Sequence, residues 1–138
     1  MMRLHEVFTS DVKGSVIRRT PDVFVTEAFI GTREITFTAD RFTEYWEVGF
    51  IEKAPGKRTT YGISGSGNEL QVFSFVIESM KLFISLYSPE KIIFSADKDD
   101  RNRGRLYLRM LQRISIPGYK IEHHTEWHGQ VFTLTRTT

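Results

Sequence analysis

The amino-acid sequence predicts a single α/β domain of the α+β kind over residues 1–138, with a mixed, mostly antiparallel sheet, two main helices and a C-terminal hairpin. Three observations predict it. Short apolar/polar alternations separated by turn signals fill the first half of the chain. The apolar period then lengthens to that of a helix between Asn68 and Tyr87. A short apolar run, KIIFSAD, follows that helix and precedes a second helical pattern, so strand–helix–strand comes after a meander. That order implies a mixed sheet with helices packed on it.

MRLHEVF reads as a first strand, and TSDVKGSVIRRTPD as a loop or one short helix. FVTEAFI and REITFTAD flank Gly31-Thr32 and read as a hairpin. In YWEVGFIE, Trp46, Val48 and Phe50 share one face, and Tyr45, Glu47, Gly49 and Ile51 the other. KAPGK is a turn and RTTYGISG a further strand. From Asn68 to Tyr87 the apolar positions cover about two thirds of the helical circumference. Only a strip of Ser74, Glu78, Lys81 and Ser85 is polar, so this helix is expected to be buried on most sides. Asn68 and Gln71 resemble a capping pair, and Ser88-Pro89 ends the helix. KIIFSAD lacks alternation and reads as an interior strand. The second helix is expected from about Asp100 to Ile114, and YKIEHHTEW with QVFTLTR forms a hairpin around His128-Gly129. FTAD at 37–40 and FSAD at 94–97 share no flanking similarity, so they are read as coincidence rather than a repeat.

Composition narrows the chemistry. The chain has no cysteine, which excludes disulfides, thiolate metal sites and a cysteine nucleophile. Eleven Phe, two Trp and five Tyr predict an aromatic-rich core. No run approaches the roughly 18 apolar residues of a membrane span, and MMRLHEVFTSDV lacks the apolar core of a signal peptide. A cytoplasmic protein without a membrane partner is the expectation. The net charge of +2 argues against nucleic acid as a partner.

Two short motifs carry a resemblance. Gly65-Ser66-Gly67 followed by Leu70 resembles the end of a Gln/Arg-x-x-Gly-x-Gly/Ala loop, and Leu106-Tyr107 resembles the close of an Asn-x-x-Ala-x-x-Leu-Tyr helix. Both belong to the GCN5-related N-acetyltransferase (GNAT) family, whose element order the chain matches over about residues 45–138. The resemblance implies acetyl-CoA as cofactor and transfer of its acetyl group to an amine of unknown identity. It implies that Gly65, Ser66, Gly67 and Asn68 hold the pyrophosphate, and that Tyr107 protonates the departing thiolate. The motifs are degenerate: Gly62 stands at the Gln/Arg position, Asp100 at the Asn and Arg103 at the Ala, with Asn102 two residues out of register. The Ser66-Gly67-Asn68 helix start and the SADK loop are also similar to small GNAT-like proteins of bacteriophages. That likeness implies a phage or prophage source and the host cytoplasm.

Each candidate also has a plainer reading. The glycine loop either cradles a pyrophosphate, through backbone N–H groups at a helix N-terminus, or is an ordinary strand-to-helix turn. Tyr107 lies on the apolar face of its helix, which suits a core aromatic as well as an acid. The general base has to come from a strand; Glu47 and Glu52 lie on opposite faces of one strand, so at most one faces the cleft, and Glu47 is the candidate. Arg101, Arg105, Arg109 and Arg113 recur every fourth residue as a basic stripe. The stripe is a solvated face, which is the preferred reading, a capture site for coenzyme A phosphate, or a contact for an acidic partner or a nucleic acid backbone. Glu122, His124, Glu126 and His128 share one face of an extended segment, as in a metal site or simply the polar face of an edge hairpin; the edge hairpin is preferred, with no metal expected. Ser95 and Asp97 project together, but no histidine is placed beside them by local spacing. The second overall reading is a catalytically degenerate GNAT-like phage protein that binds a host or virion protein through the arginine stripe or an exposed edge strand.

Overall fold

The computed structural model describes residues 14–53, 59–60, 69–97 and 116–137. These residues form eight strands and one helix: β1 (Gly14–Arg19), β2 (Val23–Ile30), β3 (Arg33–Arg41), β4 (Trp46–Lys53), β5 (Thr59–Thr60), α1 (Glu69–Tyr87), β6 (Lys91–Asp97), β7 (Tyr119–Glu126) and β8 (Gly129–Arg136). They make one mixed sheet in the order β1-β2-β3-β4-β6-β8-β7, with β5 paired to β4 off this path. Only β4 and β6 run parallel; every other neighbouring pair is antiparallel. The expected α+β class and mixed sheet are therefore present. The expected first strand and the second helix fall outside the described residues.

The β2–β3 hairpin turns at Gly31-Thr32, with Ile30 opposite Arg33. Gly31 has φ 64°, the conformation that a two-residue turn of the II′ kind needs at its first position. The last hairpin turns one residue earlier than expected, at Trp127-His128, because Glu126 already pairs with Gly129. Residues 14–19 are a strand and not the loop or short helix expected of that segment. The register shifts between Val16 and Arg18, leaving Ile17 half exposed. A bulge of this kind breaks the alternation by which a strand is recognised.

One face of the sheet carries the core. Phe24, Thr26, Ala28 and Ile30 of β2, Ile35, Phe37 and Ala39 of β3, and Trp46, Val48 and Phe50 of β4 are buried on it. Ile92 and Phe94 of β6 and Phe132 and Leu134 of β8 continue it. Onto this face α1 lays Val72, Phe75, Val76, Met80, Leu82 and Phe83, all buried, as its wide apolar arc requires. Phe83 packs within ring contact of Trp46 (5.0 Å) and Phe24 (6.0 Å), and Tyr87 approaches Trp46 at 4.9 Å. A fully buried ring of this size contributes up to about 3 kcal/mol. One polar contact fixes the helix on the sheet: Thr26 Oγ1 and Ser79 Oγ lie 2.8 Å apart, both fully buried. The helix ends where Ser88 turns to φ 44° while its N–H still bonds to the Ile84 carbonyl at 2.9 Å, and Pro89 prevents continuation.

Candidate functional site

Among the described residues, and along the strand order from β1 to β7, the sheet's pairing is shortest between the parallel strands β4 and β6. The two strands pair only at Trp46↔Ile92 and Glu47↔Ile93, although β4 runs on to Lys53 and β6 to Asp97. Each remains held on its outer side. β4 pairs with β3 along its whole length, from Arg41↔Trp46 to Glu34↔Lys53, and β6 pairs with β8 from Lys91↔Thr135 to Asp97↔Gly129. The result is a wedge with its vertex at Glu47/Ile93 and its mouth at the carboxyl ends of both strands. β5 meets β4 at Glu52 and Lys53, on the side that β3 does not occupy, and so sits at the mouth. The carboxyl ends of parallel strands, at a point where the chain leaves in opposite directions, are where open α/β sheets bind ligands.

Gly49 lies on β4 just past the vertex, opposite Thr38 of β3. A Cβ placed there meets nothing within 4 Å. A glycine in a strand interior with space above it marks a place where a ligand can approach the backbone closely. α1 starts at Glu69, directly after Asn68.

The structure describes only part of the expected site. Gly65, Ser66, Gly67, Asn68, Tyr107 and the arginines Arg101, Arg105, Arg109 and Arg113 lie outside the described residues. Glu47 is described: it is exposed, at the wedge vertex, on the face away from α1, with Asp40 beside it on β3. Glu52 lies on the opposite face from Glu47, as the strand alternation predicts. It points into the core face, is 3% exposed, and accepts a hydrogen bond from Arg33 Nη1 at 2.8 Å. Its parity with Trp46, Val48 and Phe50 puts it there, and the charge is tolerated because Arg33 on the neighbouring strand meets it. Ser95 is exposed on the face that Glu47 shares.

Sequence reasoning missed a second concavity. A polar groove of about 330 Å³ lies at the opposite end of β4 and β6 from the wedge mouth, between the β3–β4 turn and the end of α1. Phe42 and Tyr45 stack across that turn at 5.2 Å, and the Tyr87 hydroxyl donates to the Thr20 carbonyl at 2.6 Å. Burial pushes the Tyr87 hydroxyl above the usual tyrosine range, partly offset by Arg19. Arg136 donates to the Ser88 carbonyl at 2.5 Å and approaches Glu90 at 3.4 Å, and Arg41 approaches Asp22 at 4.0 Å. These side chains tie the ends of elements together, so the groove reads as a structural seam. No local motif announces it, because its walls come from residues far apart in sequence.

On β7, Glu122 lies 3.4 Å from His124 and 3.7 Å from Lys120, while His123 stacks on Phe132 at 4.6 Å. Among the described residues no three His, Asp or Glu side chains converge as a metal site, and no helix is long and apolar enough to cross a membrane.

No protein-family model and no curated protein sequence matches the chain. Solved structures do match in fold. An acetyltransferase from Bacillus subtilis in complex with CoA aligns with TM-score 0.51 and 9% identity, over 89% of this chain and 96% of that one. A spermidine N-acetyltransferase variant from Vibrio cholerae aligns with TM-score 0.47 and 12% identity, over 82% of this chain and 64% of that one. A GNAT-family acetyltransferase from Streptococcus pneumoniae aligns with TM-score 0.40 and 11% identity, over 83% of this chain and 66% of that one. The chain thus spans less than two thirds of the Vibrio and Streptococcus proteins. The likeness to the Bacillus protein, over 89% of this chain, is one of fold, and the mixed sheet with its helix is consistent with the GNAT fold.

Proposed function

We propose that the chain binds acetyl-CoA in the β4/β6 wedge and transfers its acetyl group to an amine. The observation that carries this reading is the early end of β4/β6 pairing at Glu47/Ile93, which opens the sheet at the carboxyl ends of its parallel strands. The open space above Gly49 fits a ligand chain lying against β4. The likeness in fold to an acetyltransferase in complex with CoA supports the choice of ligand.

When bound, acetyl-CoA supplies a thioester whose carbonyl carbon accepts an amine nitrogen. The protein's part is positioning and proton management. Backbone N–H and C=O groups of residues 48–51 and 94–97 hold the amide-bearing arm of the ligand as a strand would be held. Gly65–Asn68, leading into α1, offer N–H groups and the positive end of the helix dipole to the pyrophosphate. Glu47, exposed at the vertex, takes the proton that the amine nitrogen gives up as it forms the new amide bond. Tyr107 gives its hydroxyl proton to the sulfur as the C–S bond breaks. Fixing amine and thioester in line supplies most of the rate.

Calorimetric titration with acetyl-CoA tests the reading, with Gly67→Glu as the variant that blocks the cradle. Micromolar binding by the wild type that Gly67→Glu abolishes is expected. A folded wild type that fails to bind at millimolar acetyl-CoA contradicts it. The degenerate reading, a host or virion protein held by the Arg105/Arg109 face, then takes its place.

A further inference from the structure

Glu47 is the last residue of β4 that pairs with β6, opposite Ile93, and it is exposed on the face away from α1. The chain carries an amine of its own beside that point. Lys91, the first residue of β6, lies two residues before Ile93 and therefore on the same face of the sheet as Glu47. Neighbouring strands stand about 4.8 Å apart, and a two-residue step along a strand is about 6.6 Å. The four-carbon stem of a lysine spans that step, so Nζ of Lys91 can come level with Glu47 without movement of the backbone. Lys91 is exposed and borders the polar groove, which leaves its side chain room to turn. No salt bridge among the described residues holds its ammonium.

The other described lysines are placed elsewhere. Lys53 lies six residues further along β4, about 20 Å from Glu47 at the far end of the strand. Lys120 lies on β7, with all of β8 between it and β6. Lys81 is on α1, against the opposite face of the sheet.

We infer that Lys91 is acetylated by its own chain. The inference rests on the binding of acetyl-CoA at the β4/β6 pair with its thioester beside Glu47. Lys91 enters as the neutral amine, having lost one proton to water. Its Nζ lone pair forms the new bond to the thioester carbonyl carbon, and the C–S bonding pair goes to sulfur. Glu47 accepts the nitrogen's second proton, and the sulfur takes up a proton from water. The products are an amide at Lys91 and free coenzyme A, with one proton released overall. The ammonium at the edge of the groove becomes a neutral group.

Mass spectrometry of the full chain after incubation with acetyl-CoA tests the inference, with calorimetric titration of acetyl-CoA alongside. One acetyl group per chain is expected, on the peptide that contains Lys91, with a rate constant independent of protein concentration. Lys91→Arg should abolish it and leave the affinity for acetyl-CoA unchanged. Glu47→Gln should slow it about a hundredfold. Coenzyme A, which has no acetyl group to give, should shield Lys91 but not Lys81 from an amine-reactive label. Acetylation spread evenly over Lys53, Lys81, Lys91 and Lys120 is direct chemical reaction with the thioester and overturns the inference. So does a rate constant that rises with protein concentration, or one that Glu47→Gln leaves unchanged. Binding of acetyl-CoA without acetylation of Lys91 overturns this inference alone; a folded chain that does not bind acetyl-CoA overturns the reading beneath it as well.

Discussion

Replacing Gly49 with valine should raise the stability of the protein while lowering its affinity for acetyl-CoA. The residue sits in β4 between the wedge vertex and its mouth, and its φ is not among the positive ones, so a side chain brings no backbone strain. A Cβ there meets nothing within 4 Å, so no overpacking is expected either. Glycine in a strand interior costs roughly 0.5–1 kcal/mol relative to alanine, and a β-branched residue suits a strand better still. The expected gain is about 1 kcal/mol, which for a domain of this length raises the thermal midpoint by about 3 °C. Urea unfolding with a tryptophan probe reads the same quantity as a higher midpoint at unchanged slope. The valine methyls stand off the face of the sheet that Glu47 shares, where the ligand would cross Gly49 on leaving the gap between the strands, and affinity should fall about tenfold or more. Loss of more than about 1 kcal/mol of stability would show that the space above Gly49 is already occupied. A stable variant with undiminished affinity would remove the wedge from the account of binding.

Other substitutions probe how the fold holds the wedge in place. Ser79→Ala and Thr26→Val each strand one buried hydroxyl and should cost about 1–3 kcal/mol alone. Together they should cost clearly less than the sum, with a coupling of about 1 kcal/mol; additivity within about 0.5 kcal/mol would deny the bond. Glu27 has its carboxyl held above the usual range, first by burial and then by hydrogen bonding to and repulsion from Glu34 on the adjacent strand. A raised folded value means that its contribution is fully present below the ordinary carboxyl range and is lost as pH rises through the folded value. Glu34→Gln should therefore stabilise by a few tenths of a kcal/mol near pH 7, a gain that fades towards pH 4 in urea titrations. A gain that persists at pH 4 would contradict this origin.

Much of the sheet was legible because its signals are local. The Gly31-Thr32 turn, the alternation of Trp46, Val48 and Phe50, and the wide apolar arc of α1 each lie within one stretch of chain. What could not be read depends on distant partners. β1 escaped because one bulged residue, Ile17, breaks its period. The ion pair that lets Glu52 be buried could not be read, because its partner Arg33 lies on another strand. The wedge itself has no local record. Parallel strands joined by a helix stop pairing where the whole sheet dictates, so only the structure shows the break at Glu47/Ile93. The glycine loop and Leu-Tyr pair suggested a ligand, and the proposed binding places it at the short β4/β6 pairing.

Hydrogen exchange read by mass spectrometry, with and without saturating acetyl-CoA, tests the central claim most directly. Binding in the wedge predicts slowed exchange in the second halves of β4 and β6, residues 48–51 and 94–97, with β2 unchanged. Protection confined to other segments, or no change at millimolar acetyl-CoA, would contradict it.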